Sequence, residues 1–358
     1  MPDGPVYAFY GDDFTGSTDA LEVLSKAGIK SLLFLDIPDE RGQALLSDCT
    51  AFGIAGTCRS LRREEISKET GRIFEWLSHY PLECMHYKIC STLDSSPEHG
   101  NIGIAIEQGQ RHFGNTLVPF LIGYPVLKRW VAFSQLFAQD GDRISRLDRH
   151  STMAKHPVTP MEEADIRLHL AEQTKVPISA MNLVDLGGSL ADRLSVLNPL
   201  LESGDSRILV FDTVTMQDLH SCGELMRHSL EKSGPFVVGS SAVEAAWIST
   251  RKGLGQVSEP ANRLKQAEPF LVISGSASPK TASQIAHCRK LGWTILPLEP
   301  WNWFGGEDEE SVLEPIVRET VNLLQNGRDV VLISCEGPDD PSIRRTRDAA
   351  KAAGCSDP

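Results

Sequence analysis

Gly11-Asp12-Asp13-Phe14-Thr15-Gly16-Ser17-Thr18-Asp19 follows the apolar run Val6 to Tyr10 and precedes the helical pattern Ala20 to Ala27. Two adjacent carboxylates thus stand where a strand turns into a helix. In open α/β sheets such strand ends face the crevice that receives ligands, and the first helical turn offers unpaired backbone N–H groups. Thr15, Ser17 or Asp19 would each suffice as the helix N-cap. A cap needs one residue rather than an aspartate pair, so at least one of Asp12 and Asp13 is expected to take part in chemistry.

Outward from this turn, short apolar runs alternate with amphipathic stretches. The runs are Val6 to Tyr10, Ser31 to Leu35, Ala51 to Ile54, Leu117 to Ile122, Ile208 to Phe211, Pro235 to Val238, Phe270 to Ile273 and Val330 to Ile333. Between them lie helical patterns at Glu64 to Leu77, Pro160 to Gln173, Leu190 to Leu201, Thr215 to Leu230, Ala242 to Ser249, Pro279 to Leu291 and Ser311 to Leu324. This alternation predicts an α/β fold with mainly parallel sheets flanked by helices. From Tyr124 to Thr159 the alternation fails, and a long irregular segment is expected. The 358 residues favour two domains on a prior of roughly 100 to 200 residues each. Arg251 to Pro269 is polar, carries Gly253, Gly255, Pro260 and Pro269, and has no apolar period. It is read as a linker between domains at 1–250 and 270–358.

A net charge of −13 speaks against a nucleic-acid surface, which needs clustered Lys and Arg, and favours a small-molecule partner. The eight cysteines contain no C-x-x-C pair, so neither a zinc site nor a disulfide framework is indicated, and they read as reduced thiols. No basic and apolar leader opens the chain, and no apolar run approaches the roughly 18 residues of a membrane span. A cytoplasmic protein with no membrane partner is expected. A homodimer is the base-rate expectation for its assembly.

Four constellations are candidates for chemistry. The Asp12–Asp13 pair suits an ATP-dependent transfer to a hydroxyl, in which one carboxylate accepts the hydroxyl proton and the other holds substrate or orients Mg²⁺. Lys88-Ile89-Cys90-Ser91-Thr92-Leu93-Asp94-Ser95-Ser96-Pro97 begins with a cation and is rich in hydroxyls. Lys88, Ser91 and Thr92 are its candidate ligand groups, whereas Asp94 to Pro97 also read as a plain capped turn. Arg149, His150 and His156, in the segment running to Pro160, suit an anion better than zinc, since the histidines have no helical i, i+4 spacing; a solvated surface loop is the alternative. Thr159 before Pro160 reads as an N-cap. Finally, Ser274-Gly275-Ser276-Ala277-Ser278-Pro279-Lys280-Thr281 leads from a strand to a helix N-terminus and can present N–H groups and hydroxyls to phosphate. It has neither Walker nor G-x-G-x-x-G spacing. Gly239-Ser240-Ser241 has the same shape.

Taken in order, Gly11 to Gly16, Lys88 to Asp94 with Gly100-Asn101-Ile102-Gly103, His156-Pro157 through Asp165, Gly239-Ser240-Ser241, and Gly275 to Ser278 with Thr281 resemble the four-carbon acid sugar kinase family. The resemblance implies a sugar-acid-binding N-terminal domain, a nucleotide-binding C-terminal domain and an active site in the cleft between them. It implies that Asp12 and Asp13 are catalytic, and that Thr15, Lys88, Ser91, Thr92, Arg149, His150, His156 and Asp165 face the sugar acid. Gly275, Ser276, Ser278 and Thr281 would hold ATP, with Mg²⁺ as its companion and no metal site in the protein itself. The Lys88 to Pro97 segment departs from the Lys-x-Asp-Ser-Thr-x-Arg-Gly form common in the family, which leaves the substrate open among threonate, erythronate, an oxo-tetronate and a branched oxo-acid. Family members continue into a Gly-Gly-Asp-Thr-like segment beyond the point matched by Pro358, so the nucleotide domain is expected to be incomplete. The rival readings are a sugar-acid-binding protein without catalysis and a metal-dependent hydrolase or aldolase using Asp12, Asp13, His150 and His156.

Overall fold

The first apolar run forms strand β1 (Tyr7–Gly11), with every residue buried, as a parallel strand covered on both faces requires. The computed structural model of the protein describes residues 4–155, 159–251, 268–306 and 308–355. The chain divides into two compact units, residues 1–259 and 260–358.

In the first unit β1 is followed by α1 (Phe14–Lys26), β2 (Ser31–Phe34), α2 (Glu40–Ala44), β3 (Ala51–Ala55), α3 (Arg63–Leu77), β4 (Cys84–Lys88), α4 (Ile102–Phe113) and β5 (Leu117–Leu121). Then come β6 (Arg129–Ala132), β7 (Gln135–Asp140), β8 (Arg143–Arg146), α5 (Ile166–Ala171), β9 (Ile178–Met181), α6 (Leu190–Glu202), β10 (Arg207–Phe211), α7 (Met216–Ser233), β11 (Phe236–Gly239) and α8 (Ala242–Ser249). Eight parallel strands form one sheet in the order β2-β3-β1-β4-β11-β5-β10-β9. Alternate residues of β1 feed two cores. Ala8 and Tyr10 join Phe74 of α3 and Ile106 of α4, while Tyr7 and Phe9 join Leu24 of α1 and Ala246 of α8. The connections after β1 and after β4 therefore leave to opposite faces, and the crevice between these neighbouring strands is a topological switch point.

The α/β class expected from the alternation is the one observed. Three strands of the parallel sheets had no visible apolar run: β4, which carries His86 and Lys88; β9; and β13 (Thr294–Pro297). The segment expected to be irregular instead holds the antiparallel sheet β6-β7-β8. Its β6–β7 turn puts Phe133 and Ser134 at φ of 52° and 63°, a region that costs non-glycine residues about 1–3 kcal/mol. Asp212, just past β10, accepts both of their N–H groups. The helix expected from Pro160 begins only at α5, capped by Asp165 rather than Thr159. Residues before it are drawn out by pairing, with Met161 N–H donating to Met153 and Ala164 accepting from Leu136.

The second unit contains β12 (Leu271–Ser274), α9 (Pro279–Lys290), β13, α10 (Glu309–Gln325), β14 (Val330–Ile333) and α11 (Pro341–Ala352). Its parallel sheet runs β12-β14-β13, with buried β14 at the centre. Of the linker reading at 251–269, all but the ends lies outside the described residues. All eight cysteines are free thiols. Among the described residues no helix is long and apolar enough to cross a membrane.

Two glycines of the first unit should respond in opposite senses to alanine. A Cβ on Gly239 would lie 2.0 Å from the Leu121 carbonyl oxygen, whereas one on Gly71, inside α3, meets nothing within 4 Å. Gly239→Ala is expected to destabilise by about 1–3 kcal/mol and Gly71→Ala to stabilise by about 0.5–1 kcal/mol, as read from urea unfolding monitored in the first unit.

Candidate active site

Register brings the site together. Gly11 pairs with Ala55 and with Lys88, and Lys88 pairs with Gly239, so the segments following β1, β3, β4 and β11 all emerge at one edge of the sheet. The Asp12 N–H donates to the Lys88 carbonyl and the Arg59 N–H to the Asp12 carbonyl, at 2.9 and 3.0 Å. These backbone bonds weave three strand ends into one platform.

On it, Asp12 is 3% exposed. The Arg59 guanidinium spans both aspartates, donating from Nη2 and Nε to the two Asp12 oxygens at 2.7 and 3.2 Å and from Nη1 to Asp13 Oδ2 at 2.7 Å. Such a fork satisfies the directions of two carboxylates as a lysine ammonium would not. Asp13 has a second task as N-cap of α1, its Oδ1 accepting the Gly16 N–H at 2.7 Å. The helix is thus capped by a member of the pair, and not by Thr15, Ser17 or Asp19 as the capping reading has it. Burial pushes the Asp12 carboxyl up to about 6, against the opposing pull of Arg59 and Lys88 and helped by neighbouring Asp13. Asp94 closes the group, its Oδ2 3.9 Å from Arg59 and its Oδ1 accepting from the Thr92 hydroxyl at 2.9 Å.

Lys88 is buried, with Nζ 3.6 Å from Asp19 and donating to the Ile89 carbonyl at 3.1 Å. A Cβ on Gly16 would fall 3.0 Å from that nitrogen and 2.5 Å from Asp13 Oδ1, so the glycine lets Lys88 and the Asp13 cap share the start of α1. A cavity of about 280 Å³ opens beside the pair, lined by Asp12, Asp13, Phe14, Thr57, Arg59 and Ser60 among others. Its carboxylates, hydroxyls and one aromatic face suit a small polyhydroxylated molecule.

Of the other residues singled out in the sequence, Thr15 is exposed on the first turn of α1 and Ser91 is half-buried between Lys88 and Thr92. Arg149 is exposed. His150 is engaged in its own turn, with Nε2 3.1 Å from the Gln139 carbonyl oxygen and Nδ1 facing the N–H groups of Thr152 and Met153. Asp165 caps α5 and pairs with Arg167 and Gln135. None of these lines the cavity, although Thr159 does. His156 and Pro157 lie outside the described residues. Arg59 was missed because it follows an unremarkable turn. Its signal was positional, since Gly56-Thr57-Cys58-Arg59 leaves the run Ala51 to Ile54, a parallel neighbour of β1. Among the described residues no three His, Cys, Asp or Glu side chains are grouped to hold a metal ion.

In the second unit, Gly275 to Ser278 follow β12. Ser278 caps α9, its hydroxyl accepting the Thr281 N–H at 3.1 Å, and the Thr281 hydroxyl donates to Ser276 at 3.0 Å. The loop borders a cavity of about 660 Å³ at the ends of β12 and β14, whose walls include Gly275, Ala277, Trp303, Phe304, Ser334 and Arg347.

Residues 7–247 match the sugar-binding N-terminal domain and residues 271–358 the nucleotide-binding C-terminal domain. The chain belongs to the four-carbon acid sugar kinase family. It is 36% identical over 357 residues to a 3-oxo-isoapionate kinase of Paraburkholderia graminis, covering 99% of this chain and 75% of that one. A 3-oxo-tetronate kinase of Pseudomonas fluorescens is 27% identical over 299 residues, covering 82% and 66% of the respective chains. Among solved structures, a Salmonella typhimurium LT2 protein shares the fold at a TM-score of 0.72 and 21% identity, over 97% of this chain and 79% of that one. A Haemophilus influenzae family member does so at 0.66 and 22%, over 97% and 80%.

The clamp on the aspartates has a pH signature. A native carboxyl titrating near 6 binds its proton more tightly than in the unfolded chain, so stability falls as pH rises through the window from about 4 to 6. Arg59 limits that fall by favouring the ionised form. Arg59→Ala should therefore cost about 2–4 kcal/mol at pH 7.5, where Asp12 is ionised, and much less at pH 4.5, where it is protonated. Urea midpoints of both proteins at the two pH values check this.

Proposed function

We propose that the chain is an ATP-dependent kinase of a four-carbon oxo sugar acid, with 3-oxo-isoapionate, the substrate named for its 36% identical relative, as first choice and 3-oxo-tetronate as second. The observation that carries this is the carboxylate pair on one guanidinium, at the switch point of a unit that matches a sugar-binding domain. In the reaction a substrate hydroxyl gives its proton to Asp12, its oxygen attacks the γ-phosphorus of ATP, and ADP leaves with the bond to its β-phosphate oxygen broken. A base titrating near neutrality is well matched to that step. Arg59 holds Asp12 in place, with Asp13 as its second partner, Thr57 and Ser60 offer hydroxyls to the sugar, and Phe14 covers its carbon face.

Arg59, a cation on the cavity wall, is already held by Asp12 and Asp13, so the preference for an acid over a neutral sugar rests on the substrates named for the relatives. Arg149 and His156 are retained as proposed partners of the carboxylate from the family resemblance alone. The nucleotide is assigned to the Gly275–Ser278 loop and its cavity, where Trp303 and Phe304 suit an adenine ring. A Mg²⁺ ion carried on the nucleotide phosphates is its expected companion. The ion would neutralise charge on the transferred phosphoryl group.

An ATP-consumption screen over four- and five-carbon sugar acids tests the reading. Turnover should appear with an oxo-acid, and Asp12→Asn should lower kcat by about 10²–10⁴-fold without loss of folding, with the wild-type rate declining below about pH 6. Acid binding by calorimetry with no ATP consumed for any member of the panel would overturn it.

A further inference from the structure

Ser241-Ala242-Val243-Glu244 has the S-x-x-E spacing of a capping box, in which the glutamate folds back over the helix start. Here both halves are diverted. Ser241 makes no side-chain cap bond, and Glu244, at 0% exposure, turns into the protein. Its Oε1 accepts from the Tyr7 hydroxyl at 2.8 Å and lies 2.6 Å from His86 Nδ1. The other ring nitrogen, His86 Nε2, is 3.0 Å from the Gly239 carbonyl oxygen, which also accepts the Ile89 N–H at 2.8 Å. Glu244 Oε2 is buried without a partner. A carboxylate is an expensive group to seal away in this fashion. Burial would push it up, but His86, Lys88 and the Tyr7 hydroxyl bring the Glu244 carboxyl below its ordinary value.

The network sits beneath the site. His86 and Lys88 are two residues apart on β4 and so share one face, the face covered by α1 and α8. Each base on that face meets an acid from the helix above it, Glu244 from α8 and Asp19 from α1. We propose that Glu244 and His86 are positioning residues of the sugar-acid site, a buried acid–base pair that locks the corner between β11 and α8 onto β4 and fixes Lys88 beneath the Asp13–Gly16 turn. A pair serving stability alone would be better replaced by apolar side chains, and its placement two residues below Lys88 ties it to the ligand site. The inference rests on the kinase reading for the service the pair performs.

The test compares wild type, Glu244→Gln, the milder Tyr7→Phe, which removes a single donor and keeps the ring, and Leu225→Ala, a control in the same core. Each is assayed in the full chain with 3-oxo-isoapionate and 3-oxo-tetronate, alongside its Tm and hydrogen exchange. Glu244→Gln is expected to raise the KM for the acid about tenfold, leave the KM for ATP unchanged, and speed exchange together in residues 86–92 and 238–244. Tyr7→Phe should move the same quantities less, while Leu225→Ala lowers Tm without moving the acid KM. If Glu244→Gln, or Tyr7→Phe should the first not fold, keeps the wild-type acid KM while Tm falls as in the control, the pair is only structural and the inference is overturned. Absence of turnover by the wild-type chain with both acids is a different failure, that of the kinase reading, and it removes the inference with it.

Discussion

Two carboxylates on consecutive residues at a buried strand end repel each other and lose their hydration together, and one guanidinium makes that arrangement tenable. Arg59 reaches both with well-formed bonds, and its own backbone N–H is held by the Asp12 carbonyl. The cation is thus fixed by the loop it neutralises. Without it, desolvation would drive Asp12 further toward its neutral form. The balance of burial against Arg59 leaves a carboxyl that changes charge near pH 6.

The same edge of the sheet concentrates the remaining polar burial. Parallel strands with apolar faces end in Gly11, Ala55, Lys88 and Gly239, and the backbone bonds between their successors keep those ends flush. Two glycines at the edge are demanded by close approach, Gly16 by Lys88 and the Asp13 cap, and Gly239 by the Leu121 carbonyl. Packing on both faces makes the platform stiff, and stiffness is what a site built from several loops needs to hold its geometry.

Much of this was legible in the chain. Apolar runs located β1, β2, β3, β5, β10 and β11, six of the eight strands of the large sheet, and the aspartate pair stood out because capping explains one acid and not two. What escaped was long-range. Arg59 joins its aspartates across 46 and 47 residues, and no local pattern marks an arginine in a turn as their partner. Strand β4 was hidden because His86 and Lys88 interrupt its apolar run, their polarity being met by Glu244 and Asp19 from other elements. The stretch after Tyr124 looked irregular because its turn uses Phe133 and Ser134 where glycine or asparagine would have announced a hairpin.

That turn has a consequence for how the insertion can be regarded as a part. Its two residues occupy a left-handed conformation that their own side chains disfavour, and what holds them there is the Asp212 carboxylate, which also accepts the Leu183 N–H. The shape of the hairpin is thus written 78 residues downstream, at the end of β10. It is not a portable module. Moved to another scaffold without a carboxylate at that strand end, the same eighteen-odd residues would lose the template for their turn, and exchange of hairpins among relatives must carry β10 with it.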